Sequence, residues 1–251
     1  MTKKNAQKNA SCDLSIIIPF LNEAGNILPL MQEIEESFHE TSFEVIAIDD
    51  ASTDSTCTEL KMAMEKHPFL RVIRHSKRLG QSLAIRNGVF VARSDVIGLM
   101  DGDRQNPPSQ LLKIYQNLKL IRPDKGMVTG VRVNRCENKW RRLISFLANQ
   151  IRRRLLNDSI TDTGCSLKVI DKEIFLRIPS FRNMHRYYGA LTLMVGGKVS
   201  EIAVEDRPRI IGETKYTSFG RAFESIYCTK GDELWERNGR TNSALMRCGS
   251  R

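Results

Sequence analysis

Two aspartates, Asp101 and Asp103, follow directly on an apolar run at residues 96–100 that predicts a buried strand. Because they are two residues apart, their carboxylates lean to the same side if the strand geometry continues through them. Gln105 adds an amide oxygen to this pair. Such oxygen ligands suit Mg²⁺ or Mn²⁺, with coordination positions left open for phosphate oxygens. We therefore predict a divalent-cation site here; the alternative is an acidic turn that ends a strand.

The elements before these aspartates alternate between strands and helices. Apolar runs predict strands at residues 14–19, 43–48, 70–73 and 96–100. Helical patterns predict helices that end near residues 39, 66 and 92, and Asn22 is expected to cap the first of them. This alternation of strands and helices indicates right-handed βαβ units. The predicted fold class is α/β: a single domain with a mostly parallel central sheet and flanking helices.

Acidic residues follow three of the predicted strands. Glu23, Asp50 and Asp101 each come just after a strand end. Since ligands bind beyond the carboxyl ends of parallel strands, we expect these side chains to converge on one edge of the sheet. Neither G-x-G-x-x-G nor G-x-x-x-x-G-K-[ST] occurs, which argues against a dinucleotide fingerprint and a P-loop.

The composition favours an anionic partner. Lysine and arginine number 39 against 29 aspartates and glutamates, which gives a net charge of +10. Such an excess suits nucleic acid, a membrane surface or phosphate-bearing substrates. Aromatic residues make up 7% and are not interleaved with basic ones, so we expect no nucleic-acid partner. Six scattered cysteines and no recognisable secretory signal predict reduced thiols in the cytoplasm, and no apolar run predicts a transmembrane helix.

A basic helix is predicted in the second half of the chain. Residues 126–132 form a predicted strand that delivers Arg132, and residues 137–157 follow with apolar side chains at helical spacing. The other faces of that helix carry five arginines, which suits a membrane surface or phosphate headgroups. The alternative is a core-facing helix with a solvated charged face.

Three ordered motifs carry a resemblance to a known family. They are P-F-L-N-E at residues 19–23, D-D-A-S-T-D at 49–54 and D-G-D-R-Q-N-P-P at 101–108. They resemble the successive nucleotide-sugar motifs of family 2 glycosyltransferases, which have the Rossmann-like GT-A fold. Within that family the likeness is to dolichol-phosphate mannose synthases and bacterial polyprenyl-phosphate glycosyltransferases. It covers residues 13–228, between a disordered tail at 1–12 and a polar tail at 229–251.

The resemblance implies roles for residues in the first half. The donor nucleotide would be bound by Pro19, Glu23, Asp50 and Asp101. Mg²⁺ or Mn²⁺ on the donor diphosphate would be held by Asp101, Asp103 and Gln105.

Three later segments resemble acceptor-side motifs of the same family: 162–168, 185–188 and 207–216. The acceptor phosphate would be bound by Arg132, Arg141 and Ser145, and catalysis would depend on Asp103, Arg132, Arg209 and Lys215. The physical reason is that two phosphorylated substrates repel each other unless fixed cations and a metal neutralise them. His185 is not assigned as a base, because a phosphate monoester with a second pKa of about 6 is already largely dianionic at neutral pH.

The function implied is inverting, metal-dependent transfer of a hexose from a nucleotide-diphosphate sugar to a polyprenyl (dolichyl or undecaprenyl) phosphate. By resemblance alone, the default donor is GDP-mannose. The protein would be peripheral at the cytoplasmic face of a membrane, held by helix 137–157 or by a separate membrane-protein partner. Two alternatives stay open: a family 2 enzyme with a soluble or polysaccharide acceptor, and an inactive nucleotide-sugar-binding remnant that lacks its membrane segment.

Overall fold

The computed structural model describes residues 12–121, 125–133, 160–208 and 245–247. The predicted helix at 137–157 lies outside these ranges, as do four predicted site residues: Arg141, Ser145, Arg209 and Lys215. The proposed boundaries of the terminal tails stay predictions.

Strands and helices alternate through the first half of the chain. The strands are β1 (Leu14–Phe20), β2 (Phe43–Asp49), β3 (Leu70–His75), β4 (Val96–Leu99), β5 (Gly126–Arg132), β6 (Lys168–Asp171), β7 (Lys198–Val204) and β8 (Leu245–Arg247). The α-helices are α1 (Ile27–Ser37), α2 (Thr56–Lys66), α3 (Gln81–Val91), α4 (Pro108–Ile121), α5 (Lys172–Arg177) and α6 (Tyr188–Met194), and a 3₁₀ turn spans Met184–Arg186.

One mixed sheet joins these strands in the order β7-β5-β6-β4-β1-β2-β3-β8. β1 pairs in parallel with both β2 and β4, β2 with β3, and β5 with β7. β6 runs antiparallel to β4 and β5, and β8 runs antiparallel to β3. The prediction of an α/β fold with a mostly parallel sheet is therefore confirmed. Because the chain leaves β1 on one side and returns on the other at β4, a topological switch point lies between these two strands.

Alternating isoleucines explain why β1 is buried on both faces. Ile16 and Ile18 point to the side covered by α1 and α4, whereas Ile17 points to the side covered by α3. All three are fully buried. Helices on both faces of a parallel strand require such a continuous apolar run, and the strand thereby becomes a rigid support for the loop that follows it.

The expected helix cap at Asn22 was wrong. Helix α1 begins at Ile27, and Asn22 instead adopts a left-handed conformation, with φ of +52°. Its Oδ1 accepts a hydrogen bond of 2.8 Å from the backbone N–H of Thr53. In return, Ser52 Oγ accepts from the N–H of Asn22 at 3.0 Å. The loop after β1 is therefore tied to the loop after β2 instead of starting a helix.

Close packing of α3 on β1 generates a stability prediction. A Cβ atom at Gly88 would lie 2.5 Å from Cγ2 of Ile17, a branched side chain with little freedom in a strand. We expect Gly88→Ala to lower the free energy of unfolding by about 1–3 kcal/mol because of this overpacking. Helix propensity alone would raise it by about 1 kcal/mol.

Urea denaturation measures this difference, with Lys61→Ala on the exposed face of α2 as the control. The control should change stability by no more than about 0.5 kcal/mol. A stabilised Gly88→Ala protein would contradict the packing of α3 on β1.

Candidate active site

A cleft of about 480 Å³ opens beyond the carboxyl ends of β1 and β4, at the switch point of the sheet. The structure brings seven of the predicted site residues to its walls: Pro19, Glu23, Asp50, Asp101, Asp103, Gln105 and Arg132. The expected convergence of acidic residues on one sheet edge is thus what the fold produces. Their individual roles in binding stay predictions.

The two aspartates after β4 line this cleft. Asp101 Oδ1 accepts a hydrogen bond of 2.8 Å from the side-chain amide of Gln81, at the start of α3. Asp103 is buried, and its Oδ1 accepts from the backbone N–H of Gln105 at 3.1 Å. Burial and the nearby charge of Asp103 raise the pKa of Asp101 to about 6, against the opposing effect of Lys168. The pair therefore concentrates negative charge at a point that favours a cation.

The oxygen atoms at this point fit a small divalent cation. Within the described ranges, no group of three or more His, Cys, Asp or Glu side chains could hold a metal ion by itself. Mg²⁺ and Mn²⁺ are commonly bound by one or two carboxylates, with the remaining coordination positions taken by water and substrate phosphates. Two carboxylates with a nearby amide match this pattern. The residues present are therefore compatible with an ion that is completed by a phosphorylated ligand.

Asp50 serves as an anchor for the loop that leads into α3. Its Oδ1 accepts from His75 Nδ1 and from the N–H of Leu79, and its Oδ2 accepts from the N–H of Gly80, each at 2.8 Å. Burial alone would raise the pKa of Asp50, but these hydrogen bonds outweigh it and lower the pKa. The residue borders the cleft as predicted, with its carboxylate already engaged by the protein.

Arg132 reaches the cleft from the end of β5, where Asp162 holds it. Its Nε and Nη2 donate to the two carboxylate oxygens of Asp162 at 2.9 and 3.1 Å, a forked ion pair. Nη1 lies 3.8 Å from Oδ2 of Asp206. Burial would lower the pKa of Arg132, but Asp162 outweighs it and raises the pKa. The guanidinium is therefore permanently charged and held in one orientation.

Sequence reasoning missed Lys168 as a site residue. Its side chain is buried in β6 and borders the cleft, and Nζ donates to the backbone carbonyl of Cys165. Burial lowers its pKa, while Cys165, Asp162 and Asp101 act in the opposite direction. The only available signal was its position at the end of the 162–168 motif. Its amine lies close enough to Asp101 for the two groups to interact.

His185 is a neutral side chain of the cleft wall. Its Nδ1 lies 2.8 Å from Oγ of Ser82, in the first turn of α3. Burial, helped by the charges of Arg186 and Lys168, lowers its pKa to about 3. A histidine with so low a pKa is a poor proton acceptor at neutral pH, which agrees with its not being assigned as a base.

Comparison with known proteins places the chain in a family. The sequence model described as Glycosyl transferase family 2 matches residues 15–178. The chain is 29% identical over 222 residues to the dodecaprenyl-phosphate galacturonate synthase of Rhizobium johnstonii, covering 86% of this chain and 65% of that protein. It is 29% identical over 208 residues to the undecaprenyl-phosphate 4-deoxy-4-formamido-L-arabinose transferase of Pseudomonas syringae, covering 81% and 60%. The chain thus spans less than two thirds of the length of these relatives.

Solved structures with the same fold include two transferases of low sequence identity. Mannosyl-3-phosphoglycerate synthase from Rubrobacter xylanophilus superposes with a TM-score of 0.66 at 17% identity, covering 90% of this chain and 78% of that one. The mannosyltransferase PcManGT from Pyrobaculum calidifontis, in complex with GDP-Man and Mn²⁺, gives 0.57 at 19% identity, covering 81% and 59%. Both likenesses support the GT-A fold. In the part of the chain that the structure describes, no helix is long and apolar enough to cross a membrane.

The low pKa of His185 predicts a pH dependence of stability. The folded state releases its proton at about pH 3, whereas the unfolded chain does so near its ordinary value of about 6.5. The unfolded state therefore binds the extra proton, and stability falls as the pH is lowered through this window. We expect His185→Gln to lose less free energy of unfolding than the wild type between about pH 7 and pH 4.

Urea denaturation at both ends of that range measures the effect. His39→Gln, which changes an exposed histidine, is the matched control and should retain the wild-type slope. Equal slopes for His185→Gln and the wild type would show that His185 is not held neutral by its surroundings.

Proposed function

The chain belongs to glycosyl transferase family 2, and on that premise we propose that it transfers a sugar from a nucleotide diphosphate to a polyprenyl phosphate. One observation carries this proposal: carboxylates and basic side chains line the same cleft. Asp101 and Asp103 supply the carboxylates, and Arg132 and Lys168 supply the basic side chains. This combination suits a reaction between two phosphorylated substrates. A metal cation held by the carboxylates would bind one of them, and the basic side chains would bind the other directly.

The donor side would depend on three oxygen-bearing residues. Asp101, Asp103 and Gln105 would hold Mg²⁺ or Mn²⁺, which as a bound Lewis acid supplies stabilisation of the departing diphosphate. Gln81 fixes Asp101 by its hydrogen bond, so that this carboxylate is oriented before any ligand arrives. Pro19, near the end of β1, and Glu23, in the loop after it, border the cleft and would contact the nucleoside.

The acceptor side would depend on charge neutralisation without a base. Arg132, held by Asp162, would orient the acceptor phosphate so that its oxygen attacks the anomeric carbon. The new carbon–oxygen bond forms as the bond to the diphosphate breaks, which inverts the anomeric centre. A dianionic phosphate needs no proton removed, so the neutral His185 is compatible with this step.

The identity of the donor sugar is a more specific question than the type of reaction. GDP-mannose was the default from sequence resemblance, whereas the relatives reported above are named for galacturonate and 4-deoxy-4-formamido-L-arabinose. Their acceptors, dodecaprenyl and undecaprenyl phosphate, support a polyprenyl phosphate here. Arg141, Ser145, Arg209 and Lys215 would complete the acceptor site. A peripheral position at the cytoplasmic membrane face, through helix 137–157 or a membrane-protein partner, is part of the same proposal.

Transfer of labelled sugar to a polyprenyl phosphate in detergent tests the function. The donor panel contains GDP-mannose, UDP-glucose, UDP-N-acetylhexosamine and UDP-galacturonate, each with Mn²⁺ and with EDTA. We expect transfer from one donor and its loss in EDTA. Transfer to a soluble acceptor instead would favour the alternative family 2 activity, and donor binding without any transfer would favour an inactive remnant.

Asp103 supplies the variant that tests the cation site. We expect Asp103→Asn to lower the transfer rate by about 100-fold or more, because the donor diphosphate loses its metal contact. The control is Asp95→Asn, an exposed aspartate just before the opposite end of β4, which should retain wild-type activity. Circular dichroism checks that both variants are folded. Wild-type activity in Asp103→Asn would refute the metal assignment.

A double variant of Arg132 and Asp162 tests the acceptor site without leaving Asp162 as an unpaired buried charge. Removing Arg132 alone would leave buried Asp162 without its guanidinium, so we change both, in Arg132→Gln/Asp162→Asn. We expect the KM for polyprenyl phosphate to rise about 10- to 100-fold from the loss of a charged hydrogen bond, with little change in donor Kd. Steady-state kinetics and calorimetry measure the two constants. An equal loss of donor and acceptor affinity would count against the acceptor role.

A further inference from the structure

A cluster of three charged residues lies outside the lining of the cleft. Glu33 Oε1 accepts from Arg104 at 2.6 Å (Nη2) and 3.2 Å (Nε), and Oε2 accepts from Nη2 of Arg207 at 2.5 Å. Glu33 belongs to α1, Arg104 to the loop between the two aspartates and α4, and Arg207 to the segment after β7. One carboxylate therefore joins three separate parts of the fold. We call these three residues the clamp.

The backbone around Arg104 shows how closely the clamp is fitted to the metal loop, residues 101–106. Arg104 has a φ of +59°, which is uncommon for a residue other than glycine. In this conformation its carbonyl accepts from Nε of Arg207, and the next carbonyl, of Gln105, accepts from the backbone N–H of Arg207 at 2.9 Å. Arg207 thus binds two successive carbonyls of the metal loop while Glu33 holds both arginines. A strained backbone persists only when its surroundings hold it in place.

The segment that contains Arg207 also reaches the acceptor side of the cleft. In this segment, residues 205–208, which we call the strap, Asp206 accepts from Nδ2 of Asn106. Its Oδ2 lies 3.8 Å from Nη1 of Arg132. Asn106 in turn accepts from Oγ of Ser166 at 2.6 Å. The strap is therefore in contact with the metal loop and with the arginine assigned to the acceptor phosphate.

We propose that Glu33 is a positioning residue that holds the metal loop and the strap as one unit, so that the cation ligands and Arg132 keep a fixed separation. The roles of the cation ligands and Arg132 rest on the proposed function; the mechanical connection through Glu33 does not. This assigns Arg104 and Arg207 to the support of the site, not to contact with substrate.

The clamp is sheltered enough for its charges to interact strongly. The exposed fractions of its side chains are 23% for Glu33, 15% for Arg104 and 29% for Arg207. Burial acts to raise the pKa of Glu33, but the hydrogen bonds from the two arginines outweigh it and lower the pKa. Because both arginines use forked donors, a lysine or an amide could not reproduce the arrangement.

Hydrogen exchange tests the mechanical connection without reference to any substrate. The probes are the N–H of Gln105, which bonds to Asp103, and the N–H of Arg207, which bonds to the Gln105 carbonyl. In Glu33→Gln we expect both amides to exchange about 10-fold faster or more. The matched control is Glu36→Gln, the same change one turn along α1 on an exposed side chain, which should leave both rates unchanged. Unchanged exchange in Glu33→Gln, or faster exchange at one amide only, would overturn the proposal.

Calorimetry of GDP and UDP binding in the presence of Mn²⁺ tests the effect on the site. We expect Glu33→Gln to weaken this binding about 10-fold, as loss of a supporting contact around metal ligands does. Arg207→Lys keeps the charge but cannot reproduce both bonds of Nη2 and Nε, and it should weaken binding similarly. The double variant should be little worse than either single one, because both changes break one unit.

The outcomes separate this inference from the proposed function. If the wild type binds nucleotide and Glu33→Gln binds it equally well, the positioning role of Glu33 is wrong while the proposed function stands. If the wild type binds neither nucleotide with Mn²⁺, the proposed function is wrong, and the exchange rates alone decide whether the clamp joins the two segments.

Discussion

Repulsion between two carboxylates at the end of one strand is the constraint on which the rest of this structure depends. Asp101 and Asp103 follow β4 at the point where the order of the sheet reverses, and burial leaves them little water to disperse their charge. Burying two like charges side by side costs free energy unless a cation or a positively charged side chain offsets their repulsion. Lys168 and Arg132 line the same cleft, so carboxylates and basic side chains border one space.

Four side chains of this cleft are held in place by hydrogen bonds from neighbouring elements of the fold. The start of α3 holds Asp101 through Gln81 and His185 through Ser82, and the residues just before it hold Asp50. Asp162 orients Arg132 in the same manner. Each of these four side chains thus makes a hydrogen bond to a neighbouring element, which fixes its direction before a ligand binds. Preorganised charge of this kind is the form of catalysis expected where no general base is needed.

Sequence patterns were informative where chemistry and periodicity coincided. The apolar runs predicted β1 to β5, and strand ends predicted the convergence of Glu23, Asp50 and Asp101. Sequence patterns did not predict the contacts that form between segments distant in the chain. Asn22 binds the loop after β2, more than 30 residues away, instead of capping α1. The buried Lys168 and the bonds of Glu33 to Arg104 and Arg207 depend on elements distant in the chain, so no local pattern could reveal them.

Electron–nuclear double resonance of Mn²⁺ bound together with a nucleoside diphosphate tests whether Asp101 and Asp103 hold the cation, because it reports which nuclei lie next to the ion. We expect the wild type, with ¹³C in its aspartate carboxylates, to show carbon coupling as well as phosphorus coupling from the diphosphate. In Asp101→Asn/Asp103→Asn we expect the carbon coupling to be lost, while phosphorus coupling from the Mn²⁺–nucleotide complex in solution remains. Absence of carbon coupling in the wild type, or its survival in the double variant, would contradict the cation site.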